Sequence, residues 1–251
     1  MSEYQYYEFQ AVDRPLTNKE MAQLRSYSTR ARITPTSFVN DYSWGSFKGD
    51  ATAWMDKYFD AFLYLANWGT HVLMLRLPAN LLNAKTVRLY AVGDHAAARV
   101  RNGNVILTFQ SESEDSDDWM EDEGWLASLI SVRAELARGD LRALYLGWLF
   151  CAQSGELDPS DLSPPVPAGL AKLSASLASL VGFLRIDEGL VQTAAKLAAK
   201  RPSVGELLRD AETASAERRQ RAARNAVRGA PRREISKGLG RSRRIRTIAG
   251  T

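Results

Sequence analysis

The spacing of apolar residues changes period once along this chain, and that change constrains the fold more than any single motif. Up to about residue 110 the pattern is that of strands with a few helices between them; beyond residue 119 the period of the apolar residues is helical. The first part opens with EYQYYEFQAV (3–12), Tyr- and Phe-rich with rough alternation, which predicts a strand. Thr17 with Glu20 matches a capping box and predicts a short helix bearing Met21 and Leu24. ITPTSFVNDYSW (33–44) reads as extended, with Pro35 tolerated only at an edge or near a strand start. Asp50 is expected to cap a longer helix over 51–66, its buried face formed by Trp54, Tyr58, Phe62 and Leu65 at i, i+4, i+8, i+11, with Asp60 on the opposite side and Gly69 as its stop. HVLMLRL (71–77), ended by Pro78, has a length that favours a buried strand over a helix, and Val87–Val92 reads as another. RVRNGNVILTF (99–109) gives the clearest local signal: Asn102-Gly103 suits the positive φ angles of a type I′ turn between two strands.

In the second part, Trp125, Leu126, Leu129, Ile130, Arg133 and Leu136 define one amphipathic helix stopped by Gly139. Asp140 is expected to cap a second, which carries Leu144, Tyr145, Trp148 and Leu149 and stops at Gly155. DPSDLSPPVP (158–167) holds four prolines and cannot be helical. Ser174 and Asp187 are expected to cap two more helices, and Ser203 with Glu206 another. The fold class is therefore α+β: a mixed or antiparallel sheet with helices over 1–110, an acidic loop at 111–118, a helical region over 119–199 with a Pro-rich linker at 158–167, a charged helix over 203–223 and a basic, largely disordered tail over 224–251. Residues 1–199 are expected to fold without the C-terminal remainder of the chain, because the strong apolar periods lie there.

Charge sharpens the division. Of 33 Lys+Arg and 29 Asp+Glu in the chain, residues 200–251 hold 15 and 5, which leaves 18 and 24 for residues 1–199: an acidic body with a basic end. No apolar run is long enough to cross a membrane. MSEYQYYEFQ has neither the charged nor the apolar region of a signal peptide, and the single cysteine forbids an internal disulfide, so a cytoplasmic protein is expected.

Few residues carry chemistry. Two histidines (His71, His95) and one cysteine (Cys151) cannot close a Cys/His zinc site, and neither histidine lies in a HExxH or GxSxG context. No dinucleotide or P-loop fingerprint occurs; GSFKGD (45–50) has flanking glycines and Lys48, which a loop before a helix explains as well as a phosphate contact does. Tyr4, Tyr6, Tyr7, Phe9, Trp44 and Trp54 are stacking platforms in principle, but core packing needs them first. ESEDSDDWMEDE (112–123) carries eight carboxylates without EF-hand spacing. It reads as a solvated loop or as an acidic partner-binding patch formed by Asp117 and Asp118 with Trp119 as anchor. No catalytic, metal or cofactor residue is assigned.

Certain segments, YQYYEFQAVDRPLT (with Glu3 and Tyr4 before it), FDAFLYLANWGT, LMLRLP, GWLASLI, GDLRALYLGWL, PPVPAGL and VGELL, make residues 1–223 resemble a family of bacterial proteins without an assigned activity. The resemblance implies that relatives are longer: after VGELL they continue into an Ala/Glu/Arg-rich helix and a further helical segment similar to one found beside SWIM-type zinc fingers. This chain departs from that pattern near Arg224 and lacks the zinc ligands. Read one nucleotide later with permitted codons, REISKGLGR (233–241) spells Glu-Lys-Tyr-Leu-Lys-Gly-Leu-Ala-Gly, similar to the relatives, so a shifted reading frame or truncation is expected there ahead of an evolved arm.

Three functional classes are compatible with these features. The first is a non-catalytic cytosolic module binding an unknown protein partner, or a regulatory module. The second is a nucleic-acid-associated protein whose tail, with 12 Lys/Arg between 218 and 246 against Glu234 alone, binds phosphates without reading sequence. The third is an enzyme with a site assembled from scattered residues such as Asp117, Asp118 and His95 in a deep polar pocket.

Overall fold

The order of the seven strands decides where everything else can sit. In the computed structural model, which describes residues 3–45, 47–113 and 124–229, they form one sheet in the order β2-β3-β1-β4-β5-β7-β6. The strands are β1 (Gln5–Gln10), β2 (Arg32–Thr34), β3 (Ser37–Tyr42), β4 (Ala61–Ala66), β5 (His71–Pro78), β6 (Ala96–Arg101) and β7 (Asn104–Ser111). Every neighbouring pair is antiparallel. The helices are α1 (Asn18–Arg25), α2 (Ala51–Lys57), α3 (Ala84–Val87), α4 (Trp125–Leu129), α5 (Ser131–Ala137), α6 (Arg142–Gln153), α7 (Ala175–Phe183), α8 (Glu188–Leu197) and α9 (Val204–Gly229). The fold is α+β, and the sheet is antiparallel.

Side chains alternate across a strand, and both faces of this sheet are used. Tyr7, Phe9, Phe38 and Phe62 project to one face, where α1 and α2 cover β3, β1 and β4 with Leu24, Trp54 and Met55, joined by Phe59 from the turn after α2. Phe9 packs against Phe62, Trp54, Phe59 and Phe38, with ring centroids 4.4–6.0 Å apart. Leu63, Leu65, Leu73, Leu75, Leu77, Leu107 and Phe109 project to the other face, where they meet Leu126, Leu129, Leu136, Leu144, Trp148 and Leu180 from the later helices. The two cores lie on opposite faces and are offset along the strand order, with β4 under both.

Local chemistry places several elements as expected. Thr17 and Glu20 form a full capping box on α1, and Asn102 (φ 50°) with Gly103 (φ 74°) turns β6 into β7. Asp50, Ser174 and Asp187 cap α2, α7 and α8. At the start of α9 the Ser203 N–H donates to the Glu206 carboxylate and the Glu206 N–H to Ser203 Oγ. Pro35 sits in the turn between β2 and β3, where no ladder bond is needed.

Other expectations need correction. The helix over 51–66 ends at Lys57. Phe62 and Leu65 belong to β4, and they face opposite cores because an offset of three residues changes sides in a strand. The segment AFLYLA is buried at nearly every position, and such a run looks equally good at either period. Gly69 (φ 91°) serves the β4–β5 turn rather than a helix end. Val87–Val92 is not a strand: Asn83 caps α3, after which Val87 and Tyr90 turn inward. The helix over 125–136 is two, with Ile130 ending α4 and opening α5. Asp140 does not cap α6; Leu141 holds that position, while Asp140 accepts the Arg142 N–H and pairs with its guanidinium.

Two units divide the chain, residues 1–215 and 216–251. Val204, Leu207 and Ala211 are buried in the second core, so the first turns of α9 belong to the body and the boundary expected at 199 moves to 215. α9 runs on to Gly229, past the end expected at 223; the remainder of the basic tail lies outside the described residues.

Candidate functional site

The turn before β6 gathers three groups with chemical potential. His95 Nδ1 bonds to Glu156 Oε1, and its backbone N–H lies 3.3 Å from each carboxylate oxygen. Glu156 reaches this point because Gly155, at φ 76°, turns the chain back after α6. Cys151, fully buried on α6, hydrogen-bonds the same carboxylate. Gly93 leaves the room: a Cβ there would lie 2.1 Å from Glu156 Oε2 and 2.9 Å from Cys151 Sγ. Burial works against the Glu156 charge, but hydrogen bonds from His95 and Cys151 outweigh it and hold the carboxyl below its usual range. Burial first, then the neighbouring carboxylate, push the Cys151 thiol up to about 12. In a nucleophilic dyad the base touches the sulfur and depresses its pKa. Here a carboxylate stands between histidine and thiol, so the sulfur stays protonated and the cluster ties the β6 entry to the end of α6.

His71 is tied as firmly. Arg185 Nη2 lies 3.1 Å from His71 Nε2, and a guanidinium only donates, so Nε2 accepts and Nδ1 faces the Phe183 carbonyl at 3.3 Å. Arg185, itself at φ 56°, also donates to Gly69 O and Ser111 Oγ. The group clamps the β4–β5 turn to the end of α7.

A third cluster surrounds Asp60, which no sequence signal marked as more than an exposed helix position. Its carboxylate is buried and accepts the Val12 and Asp13 N–H groups at 2.7 and 2.9 Å on one oxygen, and Arg76 on the other. Arg76 also donates to the Met55 and Asp56 carbonyls at the end of α2. Arg133 donates to Arg76 O and Asp13, bringing α5 to the same point. Desolvation opposes the Asp60 charge, but the Asp13 N–H, Arg76 and the Val12 N–H more than offset it and leave the carboxyl below its ordinary value.

Asp117, Asp118 and Trp119, the proposed partner-binding residues, lie outside the described residues. The start of the acidic run is placed: the Ser113 N–H bonds Gly69 O beside Trp68. Of the candidate stacking residues, Tyr6, Tyr7, Phe9 and Trp54 are core; Trp44 is 75% exposed. In the 45–50 loop, Gly49 is explained by packing, since a Cβ there would strike the Phe47 and Trp54 rings. Two clefts, about 170 Å³ beside Leu170, Val181 and Val191 and about 320 Å³ beside Lys200, Glu206 and Arg209, contain neither histidine nor the cysteine. Among the described residues no three His, Cys, Asp or Glu side chains converge as a metal site, and no helix is long and apolar enough to cross a membrane.

Glu156, Arg185 and Arg76 escape sequence reasoning because their partners lie 61, 114 and 16 residues away and share no motif. Fold and sites together define an α+β protein whose titratable clusters act as ties between elements. No family model, curated protein or solved structure matches the chain.

Proposed function

We propose that this chain is a non-catalytic protein-interaction or regulatory module of the bacterial cytoplasm. One observation carries the reading: Trp44 and Trp68, 75% and 45% exposed, stand at the same end of the sheet. Gln5 pairs with Tyr42 on one side and Ala66 on the other, so each tryptophan comes shortly after a strand that flanks the start of β1. Exposed tryptophans are disproportionately the anchors of protein interfaces. The use of both histidines and the cysteine as structural ties supports the same reading. Cross-linking in a host extract tests it: a discrete partner should attach at this end and be lost in the Trp44→Ser/Trp68→Ser double variant. A turnover activity that depends on His95 or Glu156 would overturn the proposal.

A second reading, phosphate binding by the basic end, is favoured by α9, which carries Arg218, Arg219 and Arg221 at exposed positions on one continuous helix. Duplex DNA should then bind regardless of sequence, log K falling with log salt by about 0.9 per neutralised phosphate. Replacing the three arginines by glutamine should flatten the slope; an unchanged slope removes α9 from that reading.

A further inference from the structure

β6 pairs with β7 alone, so one edge of the sheet is open among the described strands. The Gln110 N–H bonds His95 O, which fixes the alternation: His95, Ala97, Arg99 and Arg101 turn their main-chain groups toward β7. The N–H and C=O of Ala98 and Val100 therefore point away from the sheet. Both residues are exposed. Natural edges are usually guarded by charged side chains projecting past them. The two charges here are drawn aside: Arg99 bonds Asp56 at 3.1 Å and Thr52 O at 2.8 Å, and Arg101 bonds Asp56 at 3.0 Å. Two guanidinium groups share one carboxylate, which leaves a surplus positive charge on one face of the edge. The other face of the edge carries Ala98 and the half-exposed Val100.

We propose that β6 accepts an extended acidic peptide from a partner protein as an added strand, with main-chain bonds to Ala98 and Val100. Carboxylates on alternate residues of the peptide would lie beside Arg99 and Arg101, and apolar residues between them beside Ala98 and Val100. A second copy of the chain suits the edge less well, because paired β6 strands would set arginines of both copies on one face. The proposal rests on the interaction reading and narrows the partner's chemistry.

The probe is a labelled, end-blocked Glu-Val-Glu-Val-Glu-Val peptide, monitored by fluorescence anisotropy with the full chain. Binding should fall about tenfold or more in Ala98→Pro, which deletes an outward N–H and keeps the β6–β7 ladder, and in Arg101→Glu; Ala98→Val should bind normally. A peptide N-methylated at the facing positions should not bind the unaltered chain, an arm that needs no folded variant. Failure of the unaltered chain to bind, equal binding by Ala98→Pro, or preference for a Lys-Val peptide overturns the proposal. Self-association abolished by Ala98→Pro also overturns it, in favour of a second copy as occupant. Any of these results with the tryptophan-dependent partner retained removes only the β6 strand; loss of that partner alone removes the broader reading.

Discussion

Asp60 and Arg76 form an ion pair in which the carboxylate is sealed from solvent and both of its oxygens are bonded, while the guanidinium is largely buried. Arg76 Nε and Nη2 lie 3.1 and 2.7 Å from one carboxylate oxygen, and the other oxygen is taken by two backbone N–H groups. The Asp60 side chain is 1% exposed. Removing the carboxylate leaves a largely buried guanidinium and two backbone N–H groups without their acceptor, at a cost of about 2–4 kcal/mol. Asp60→Ala should therefore rank among the most destabilising single changes in urea titration, the reverse of what its place on a supposed helix face suggests. A loss under about 1 kcal/mol would show that water or Asp13 replaces the carboxylate.

The same pair sets an acid limb. The folded-state pKa of Asp60 lies below its unfolded value of about 3.9, so its stabilisation is fully present above that value. It is lost as pH falls through the folded value. The gap in stability between wild type and Asp60→Asn should be constant from pH 7 to about 5 and close below about 4. Urea midpoints across that range that stay parallel would assign the acid limb to other carboxylates.

Cys151 should be inert in the native protein. With its thiol held up to about 12 and no exposed surface, alkylation at pH 8 should proceed only through unfolding, at a rate that tracks global stability across urea concentrations. Fast native labelling, independent of urea, would mean that the Glu156 tie opens locally.

Gly93→Ala places a methyl group against Glu156 and Cys151. The carboxylate must yield its bonds to His95 and Cys151, so a cost of about 1–3 kcal/mol is expected. In a double-mutant cycle with Glu156→Ala the two losses should be clearly less than additive; full additivity would separate the glycine from the cluster.

Leu207 is fully buried although it lies in the helix that leads into the basic end. Leu207→Ala should cost about 2–5 kcal/mol, while Arg221→Ala, exposed on the same helix, should be nearly silent in thermal unfolding. Equal, small effects would return the whole of α9 to the tail.

What the sequence made legible was local. The Thr17–Glu20 box, the Asn102-Gly103 turn and the caps at Ser174 and Asp187 each need only three or four consecutive residues, and each is present. Trp54 to Leu65 misled because a strand buried on both faces has apolar residues at every offset, including helical ones. The ties at His95, His71 and Asp60 were illegible for another reason. Their partners come from elements that only the strand order brings together, and Asp60 reads as an ordinary surface charge until β1 and β5 close on it.

The offset of the two cores makes β4 common to both, with Phe62 serving one and Leu63 the other. Melting either helical layer leaves this strand half stripped, yet β1 and β5 still hold its two edges. Its amide protons should then be the last to exchange with deuterated solvent, and a fault introduced in either layer should lower their protection. The central strand works as a hinge pin driven through two plates, and a loss of strength in either plate is registered along its whole length.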